Sequence, residues 1–377
     1  MTLLRGLALL AGSVALAPAQ AVDLQFHGFG AQTALHTEGN NAFGEERSPS
    51  LEFYEVGGFV TAQLTPRLLG SAQAFVGDSG ENDDGKLRLD YALLDYQFLA
   101  TREITLGARG GRVKNPFGLF NDTRDIIFLR PGILLPQAVY LDRIGIRDVM
   151  FSSDGGQLYG SWASSEQVTS VVLGAGLNRE GDKRFRRNLG ISGIDALDIE
   201  DFYTARVLTD WTGLALRTGV SYLGAKLFAR TDSGFNFDLN ADLWALSLQW
   251  LQPQFNVTAE YSLLSTRFNT PQGGGRSRSD GLYVQLEWLL DGRFSAFGRY
   301  DLYYEDRNDR SGRDHADRTG QPRHTQFSRD VTVGGHWRLD PHWGVWTEAH
   351  FVDGTAAARN NQDRRWEMFL VSVAFQF

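Results

Sequence analysis

The chain has 377 residues, a formal net charge of −8 and no cysteine. The missing cysteine excludes a disulfide framework and thiolate metal sites, and the acidic balance argues against a nucleic-acid-binding surface. Glycine (42), phenylalanine (25) and tryptophan (9) are abundant while the mean hydropathy is −0.28, a combination that suits strands with one wet and one apolar face.

Residues 1–21 read as a secretory signal peptide. Arg5 supplies the positive start, Gly6 to Ala17 a short small-and-apolar run, and Ala19-Gln20-Ala21 a small-x-small cleavage site. The run is too short for a bilayer-spanning helix, which needs about 20 residues. Beyond residue 21 no stretch approaches 18 consecutive apolar residues, so no transmembrane helix is readable. Residues 22–377 are expected to form one domain.

Period-two segments bounded by turn residues then follow. The first five lie near 23–35, 50–65, 68–77, 86–99 and 103–113. The segment 86–99 changes phase near Ala92–Leu94, which predicts a β-bulge. The next stretch, from Asn115 (NPFGLFNDTRDIIFLRPGILLPQAVYLD), does not alternate and is rich in Ile, Leu and Phe. "NDTRDIIFL" opens with good cap residues and predicts one or two helical turns, which Pro131 and Pro136 would stop. Eleven further segments lie near 147–163, 168–177, 200–210, 214–228, 236–251, 254–268, 281–290, 293–305, 325–339, 343–353 and 365–377. In the last, Phe369, Val371, Val373, Phe375 and Phe377 share one face.

The connections alternate in length. Short ones, such as those at 65–67, 100–103, 252–254 and 340–343, carry turn residues. Those between them are mostly longer and polar, at 36–49, 77–85, 178–199, 269–280, 306–324 and 353–364. Sixteen segments with short turns at one end and long loops at the other predict an all-β fold: a transmembrane antiparallel β-barrel of about 16 strands. In hydrocarbon every backbone N–H and C=O must find a partner within the protein, and a closed sheet provides this without an edge. Trp211, Trp250, Trp288, Trp337 and Trp343 fall by the short turns, and Phe75, Phe228, Phe268, Tyr303 and Tyr304 by the long loops, as two interfacial girdles would.

The strand-and-turn layout, the last strand ending VAFQF at Phe377 and the long third connection together resemble a Gram-negative outer-membrane porin of the sixteen-stranded kind. NPFG at Asn115–Gly118 is loosely similar to the start of the inward loop in such proteins. The resemblance implies a long third loop (115–146) folded into the lumen, a homotrimer in the outer membrane and passive diffusion of small hydrophilic solutes or ions. It implies no cofactor. A water-exposed loop should be polar, as 306–324 is, whereas this one carries twelve large apolar side chains that need a dry surface.

The charges of that loop are the candidate pore constriction: Arg124, Arg130, Arg143 and Arg147 with Asp122, Asp125 and Asp142. Set opposite each other in a narrow pore they would sort solutes by charge; alternatively they are local salt bridges that hold the loop. On the alternating pattern Arg109, Arg206, Arg217, Arg299 and Arg338 point inward, as do Glu260, Glu287, Asp301 and Glu348. The slight excess of bases leans toward anions.

Other stretches carry less. The basic cluster at 178–187 (NREGDKRFRR) could meet lipopolysaccharide phosphates or be a solvated loop. DSGENDDG at 78–85 lacks the spacing of a calcium loop, and the histidines form no metal cluster. The alternatives to a general porin are a substrate-specific outer-membrane channel and a barrel hydrolase. For the latter, Ser328 and His324 lie four residues apart, about 13 Å along a strand, beyond hydrogen-bond reach.

Overall fold

The computed structural model describes residues 22–41, 43, 49–80, 85–141, 150–178, 194–231, 236–270, 273–356 and 363–377. The signal peptide expected at 1–21 lies outside them, as does 179–193, which holds most of the basic cluster; 78–85 lies partly outside.

The chain forms a closed antiparallel barrel of sixteen strands in sequence order. They are β1 (Asp23–Glu38), β2 (Ser50–Thr65), β3 (Leu68–Ser79), β4 (Arg88–Ala100), β5 (Ile104–Lys114), β6 (Ser152–Ala163), β7 (Gln167–Asn178) and β8 (Ile194–Trp211), followed by β9 (Leu216–Thr231), β10 (Asn236–Leu251), β11 (Phe255–Thr270), β12 (Gly273–Leu289), β13 (Phe294–Tyr304), β14 (Phe327–Arg338), β15 (Trp343–Gly354) and β16 (Arg365–Gln376). Closure joins β1 to β16 in a register running from Phe29↔Gln376 to Glu38↔Glu367, so no sheet edge remains.

Alternation decides which side chains face out. On β12 Leu282, Val284, Leu286 and Trp288 are exposed on the outer face, while Tyr283 and Gln285 are buried inside. The same holds on β16, where Phe369, Val371 and Val373 face out against Met368, Leu370 and Ser372. The five tryptophans expected by the short turns are all exposed. Of the aromatic residues expected at the opposite rim, Phe268 is exposed, Phe228 and Tyr304 are half-buried, and two are buried. Phe75 is buried inside under the Arg88 guanidinium, and Tyr303 packs with Leu141. Each sits one residue out of phase with the outer face of its strand.

Several strands run further than the sequence suggested. β11 reaches Thr270 and β12 starts at Gly273, so the long polar connection expected at 269–280 is a continued hairpin. Above the apolar band both strand faces are wet, and alternation no longer marks a strand. The β3–β4 register shifts between Gln73 and Ala74, opposite Tyr91 and Leu89, which puts the irregularity at Asp90 rather than at Ala92–Leu94.

Candidate functional site

The segment from Asn115 to Leu141 has little regular structure. It makes two 3-10 turns, Asn121–Thr123 and Ile127–Leu129, and one α-helical turn, Gln137–Tyr140. Pro136, expected to stop a helix, starts this last turn instead, its fixed φ suiting a helix entry. The mouth of the segment is tied by Asn121, whose amide donates to the carbonyls of Asn115 and Met150 at 2.8 Å each. Ser153 Oγ donates to Asn115 Oδ1 at 2.9 Å.

The short turns pair some of the segment's own N–H and C=O groups, and the buried remainder need partners from elsewhere. Here they come from the inner faces of the strands. Glu260 on β11 accepts from Leu119 N (3.0 Å), Tyr140 Oη (2.7 Å), Tyr283 Oη (2.8 Å) and Ser247 Oγ (2.6 Å). Asp301 on β13 accepts from Ala138 N at 3.0 and 3.2 Å. Glu348 on β15 accepts from Ile133 N at 2.6 Å and Leu134 N at 3.3 Å. The segment's carbonyls are met in turn: Arg299 donates to Leu134 O, Ser262 to Ala138 O and Gln285 to Pro131 O, at 3.2, 2.5 and 2.9 Å. Ser221 Oγ accepts from Gly118 N at 3.0 Å.

Tyr140 links the two ends of the segment. Its hydroxyl accepts from Leu119 N and Phe120 N at 3.0 Å each while donating to Glu260. Burial and the neighbouring Glu260 carboxylate raise this phenol well above its ordinary range, so it stays protonated and able to donate. Two glycines permit the close approach. Gly118 has φ +56°, and a Cβ there would collide with the Tyr140 hydroxyl; a Cβ on Gly281 would strike the Ala138 carbonyl. Apolar contacts complete the seat. Phe117, Leu135, Ala138 and Val139 pack with Leu223, Leu243 and Tyr283, and Ile133 and Leu134 with Trp346 and Met368.

The charged residues pair across the same seam. Arg206 on β8 grips Asp122 with two bonds of 2.8 and 3.0 Å and reaches Gly118 O at 3.3 Å. Arg130 pairs with Glu55 of β2. Asp125 accepts from Lys114 Nζ at 2.5 and 2.7 Å and from Gln73. Burial pushes the Asp125 carboxyl up, but the Lys114 ammonium and the Gln73 amide outweigh it and hold the group below its usual range. Arg124, expected at the constriction, is 2% exposed: it donates to Asn121 Oδ1 at 2.9 Å and lies over the Tyr140 ring. It therefore holds the turn and is not presented to a passing solute. Arg143, Arg147 and Asp142 lie outside the described residues.

All nine wall residues expected to point inward do so by strand phase. Of these, Arg206, Arg299, Glu260, Asp301 and Glu348 bond to the described part of the segment. Arg109 bonds Asp95 at 2.8 Å and stacks on Tyr159; Arg217 bonds Asp210 at 2.7 Å. Glu287 accepts from Ser295 (2.8 Å) and Asn256 (3.0 Å) near the short-turn end, where Arg338 is exposed. Asp330, two residues from Ser328, bonds His350 Nδ1 at 2.9 Å. Glu55, Gln73, Lys114 and Ser221 were not foreseen. Gly57 and Gly58 blur the phase of β2, and Gly111, at φ +125°, breaks that of β5 before Lys114.

No family model and no curated protein matches the chain. Solved structures do. The trimer form of in-vitro folded OmpT, an outer membrane protein of Vibrio cholerae, superposes with a TM-score of 0.60 at 11% identity, covering 95% of this chain and 100% of the other. An anion-selective porin from Comamonas acidovorans gives 0.58 at 11% identity, covering 94% and 100%. OmpF of Salmonella typhi, in complex with daunomycin, gives 0.60 at 13% identity, covering 94% and 97%. At such identities the likeness is one of fold: the chain has the sixteen-stranded barrel of the outer-membrane porins.

Proposed function

We propose that the chain is an outer-membrane channel, exported by its first 21 residues, that lets small hydrophilic solutes diffuse passively. In this reading it performs no catalysis, and residues 115–146 are the constriction loop. The supporting observation is the seating of the loop. Three inner-wall carboxylates, Glu260, Asp301 and Glu348, accept its backbone N–H groups, which is the investment expected where a barrel narrows its own bore.

The same seating supports a preference for anions. Those three carboxylates are buried beneath the loop, whereas the side chains of Arg109 and Arg217 are each 37% exposed and Arg338 is exposed as well. Among the nine wall residues more base than acid is uncovered, and Asp210, the partner of Arg217, is itself 45% exposed. The homotrimer follows the trimeric relative of like fold, and the exposed apolar belt seats the barrel in lipid, with lipopolysaccharide as its outer-leaflet neighbour.

The test is a planar-bilayer recording under a salt gradient. Stepwise conductance in groups of three with an anion-signed reversal potential is expected. A cation sign overturns the charge preference alone; a folded barrel that never conducts overturns the channel. One feature favours a substrate-specific channel as the second reading. Leu129 is 50% exposed and, with His27, Phe29, Phe59, Ile126 and His342, lines a cavity of about 330 Å³. Saturable block of the current by a planar aromatic solute would favour that reading.

A further inference from the structure

The outer face of β11 and β12 changes character abruptly toward the long-loop end. On β11 the outward series Phe255, Val257, Ala259, Tyr261, Leu263 gives way to Ser265 and Arg267. On β12 the series Trp288, Leu286, Val284, Leu282 gives way to Asp280, Arg278 and Arg276. Arg267 and Arg276 are direct cross-strand partners, and Arg278 lies opposite Ser265. The Arg276 guanidinium reaches Ser265 Oγ at 3.4 Å. Arg307 joins them, its N–H bonding Arg278 O at 2.8 Å, and Arg310 lies 5.1 Å from the centre of the Tyr304 ring.

Among the described residues two acids form ion pairs with these five cations, and Glu305 and Asp306 line the cavity beside them. Asp242 holds Arg267 at 3.2 Å, and Asp280, 2% exposed, holds Arg310. Like charges directly opposite on neighbouring strands repel, so an arginine ledge of this kind is stable where an anion joins it. Beside the ledge is a cavity of about 700 Å³, lined by Arg276, Arg278 and Arg318 along with Glu305 and Asp306. That volume is within the range of ligand sites, about 300–1,000 Å³.

Depth identifies the anion's source. Arg267 is four residues beyond Leu263, about 13 Å along a tilted strand, which puts the ledge just above the apolar band. A free anion would gain nothing from that position. A lipid would, because its acyl chains would lie against Tyr261, Leu263, Leu282 and Tyr300 while its phosphates met the guanidinium groups, whose planar fork matches phosphate oxygens. We propose that Arg267, Arg276, Arg278, Arg307 and Arg310 form a binding ledge for the phosphorylated headgroup of an outer-leaflet lipid. The inference rests on the outer-membrane reading above.

The test uses the full chain purified in detergent, with bisphosphorylated lipid A as probe and its dephosphorylated form as control. Binding is read by native mass spectrometry, and each preparation is also recorded in a planar bilayer. The variant R276S/R278S/R307S should bind bisphosphorylated lipid A about tenfold or more weakly than wild type, since charge-assisted bonds to phosphate are lost. Wild type should bind the dephosphorylated form no better than the variant does, and inorganic phosphate at millimolar concentration should not displace the lipid. The lysine variant R276K/R278K/R307K, which keeps the charge and loses the fork, should fall between. Equal binding by wild type and the serine variant overturns the proposal, as does full displacement by inorganic phosphate, which would mark a generic anion site. Wild type and both variants should conduct alike; loss of conductance in all three tells against the channel reading and leaves the lipid result standing by itself.

Discussion

Two long connections of this barrel solve the same problem in opposite ways. Between β13 and β14 the polar chain satisfies itself: Asp309 accepts from Arg313 N at 2.9 Å and His315 N at 2.8 Å, capping a helix over Arg313–Thr319 that ends at Gly320 in the left-handed conformation. Between β5 and β6 the apolar segment closes short turns on itself, such as Leu129 N to Ile126 O and Tyr140 N to Pro136 O, and draws its further partners from the wall. Its backbone groups go to side chains of β9, β11, β12, β13 and β15, and its charges to β2, β5 and β8. The helix of the first connection is therefore self-capped, and the connection meets the wall at β12 through Arg307 N–H to Arg278 O and Arg310 to Asp280. The second is coupled to the wall, so a change on a strand should alter the loop and with it the bore.

The largest effect should come from Glu260→Ala. It leaves the Tyr140, Tyr283 and Ser247 hydroxyls without that acceptor and Leu119 N–H with the Tyr140 hydroxyl alone, and each buried group left unsatisfied costs about 1–3 kcal/mol. The barrel should still close, with conductance raised severalfold and new proteolytic cleavage between residues 116 and 140; unchanged conductance and cleavage would mean that the loop is held without Glu260. Next is Gly281→Val. Its side chain meets the Ala138 carbonyl, and overpacking of about 1–3 kcal/mol should shift the helical turn at 137–140 and raise the current noise, whereas Gly298→Val on the outer face should not.

A smaller, pH-dependent effect attaches to Asp125. Its carboxyl lies below the ordinary range in the folded chain, so its contribution is complete above the unfolded value, near 4, and is lost as pH falls through the lower folded value. Conductance should be flat from neutral pH to about 4 and rise below it. Asp125→Asn should reduce that acid rise; an identical rise in the variant would assign it to other carboxyls. The smallest effect should be that of Asp309→Ala, which frays the helix at 313–319 by about 1 kcal/mol, seen as faster amide exchange there with conductance unaltered.

The barrel was legible wherever a strand sets an apolar outer face against a polar inner one, because only there does alternation carry a penalty for error. β12 from Leu282 to Trp288 and β16 could be read residue by residue, while Gly273–Asp280 read as a loop because both its faces are wet. Phe75 and Tyr303 were assigned to a girdle by type, and strand phase places them inside. In the loop, the need for a dry seat was evident from its Ile, Leu and Phe content, and the inward phase of Glu260, Asp301 and Glu348 from simple alternation. That these three would serve the loop's backbone was not evident, since it depends on the heights of β11, β13 and β15 relative to a segment whose path has no period. Arg124 shows the same limit: its type suggested a pore charge, and the packing of Tyr140 and Asn121 encloses it.

The most direct test of the account is a paired bilayer recording of wild type and Glu260→Ala under identical salt. The account predicts stepwise channels in both, with a severalfold larger step and a weaker reversal potential in the variant, because a released loop widens the bore and dilutes its charge. Equal steps and equal reversal potentials, from barrels shown to be folded, would contradict the claim that the loop seated on Glu260, Asp301 and Glu348 sets the bore.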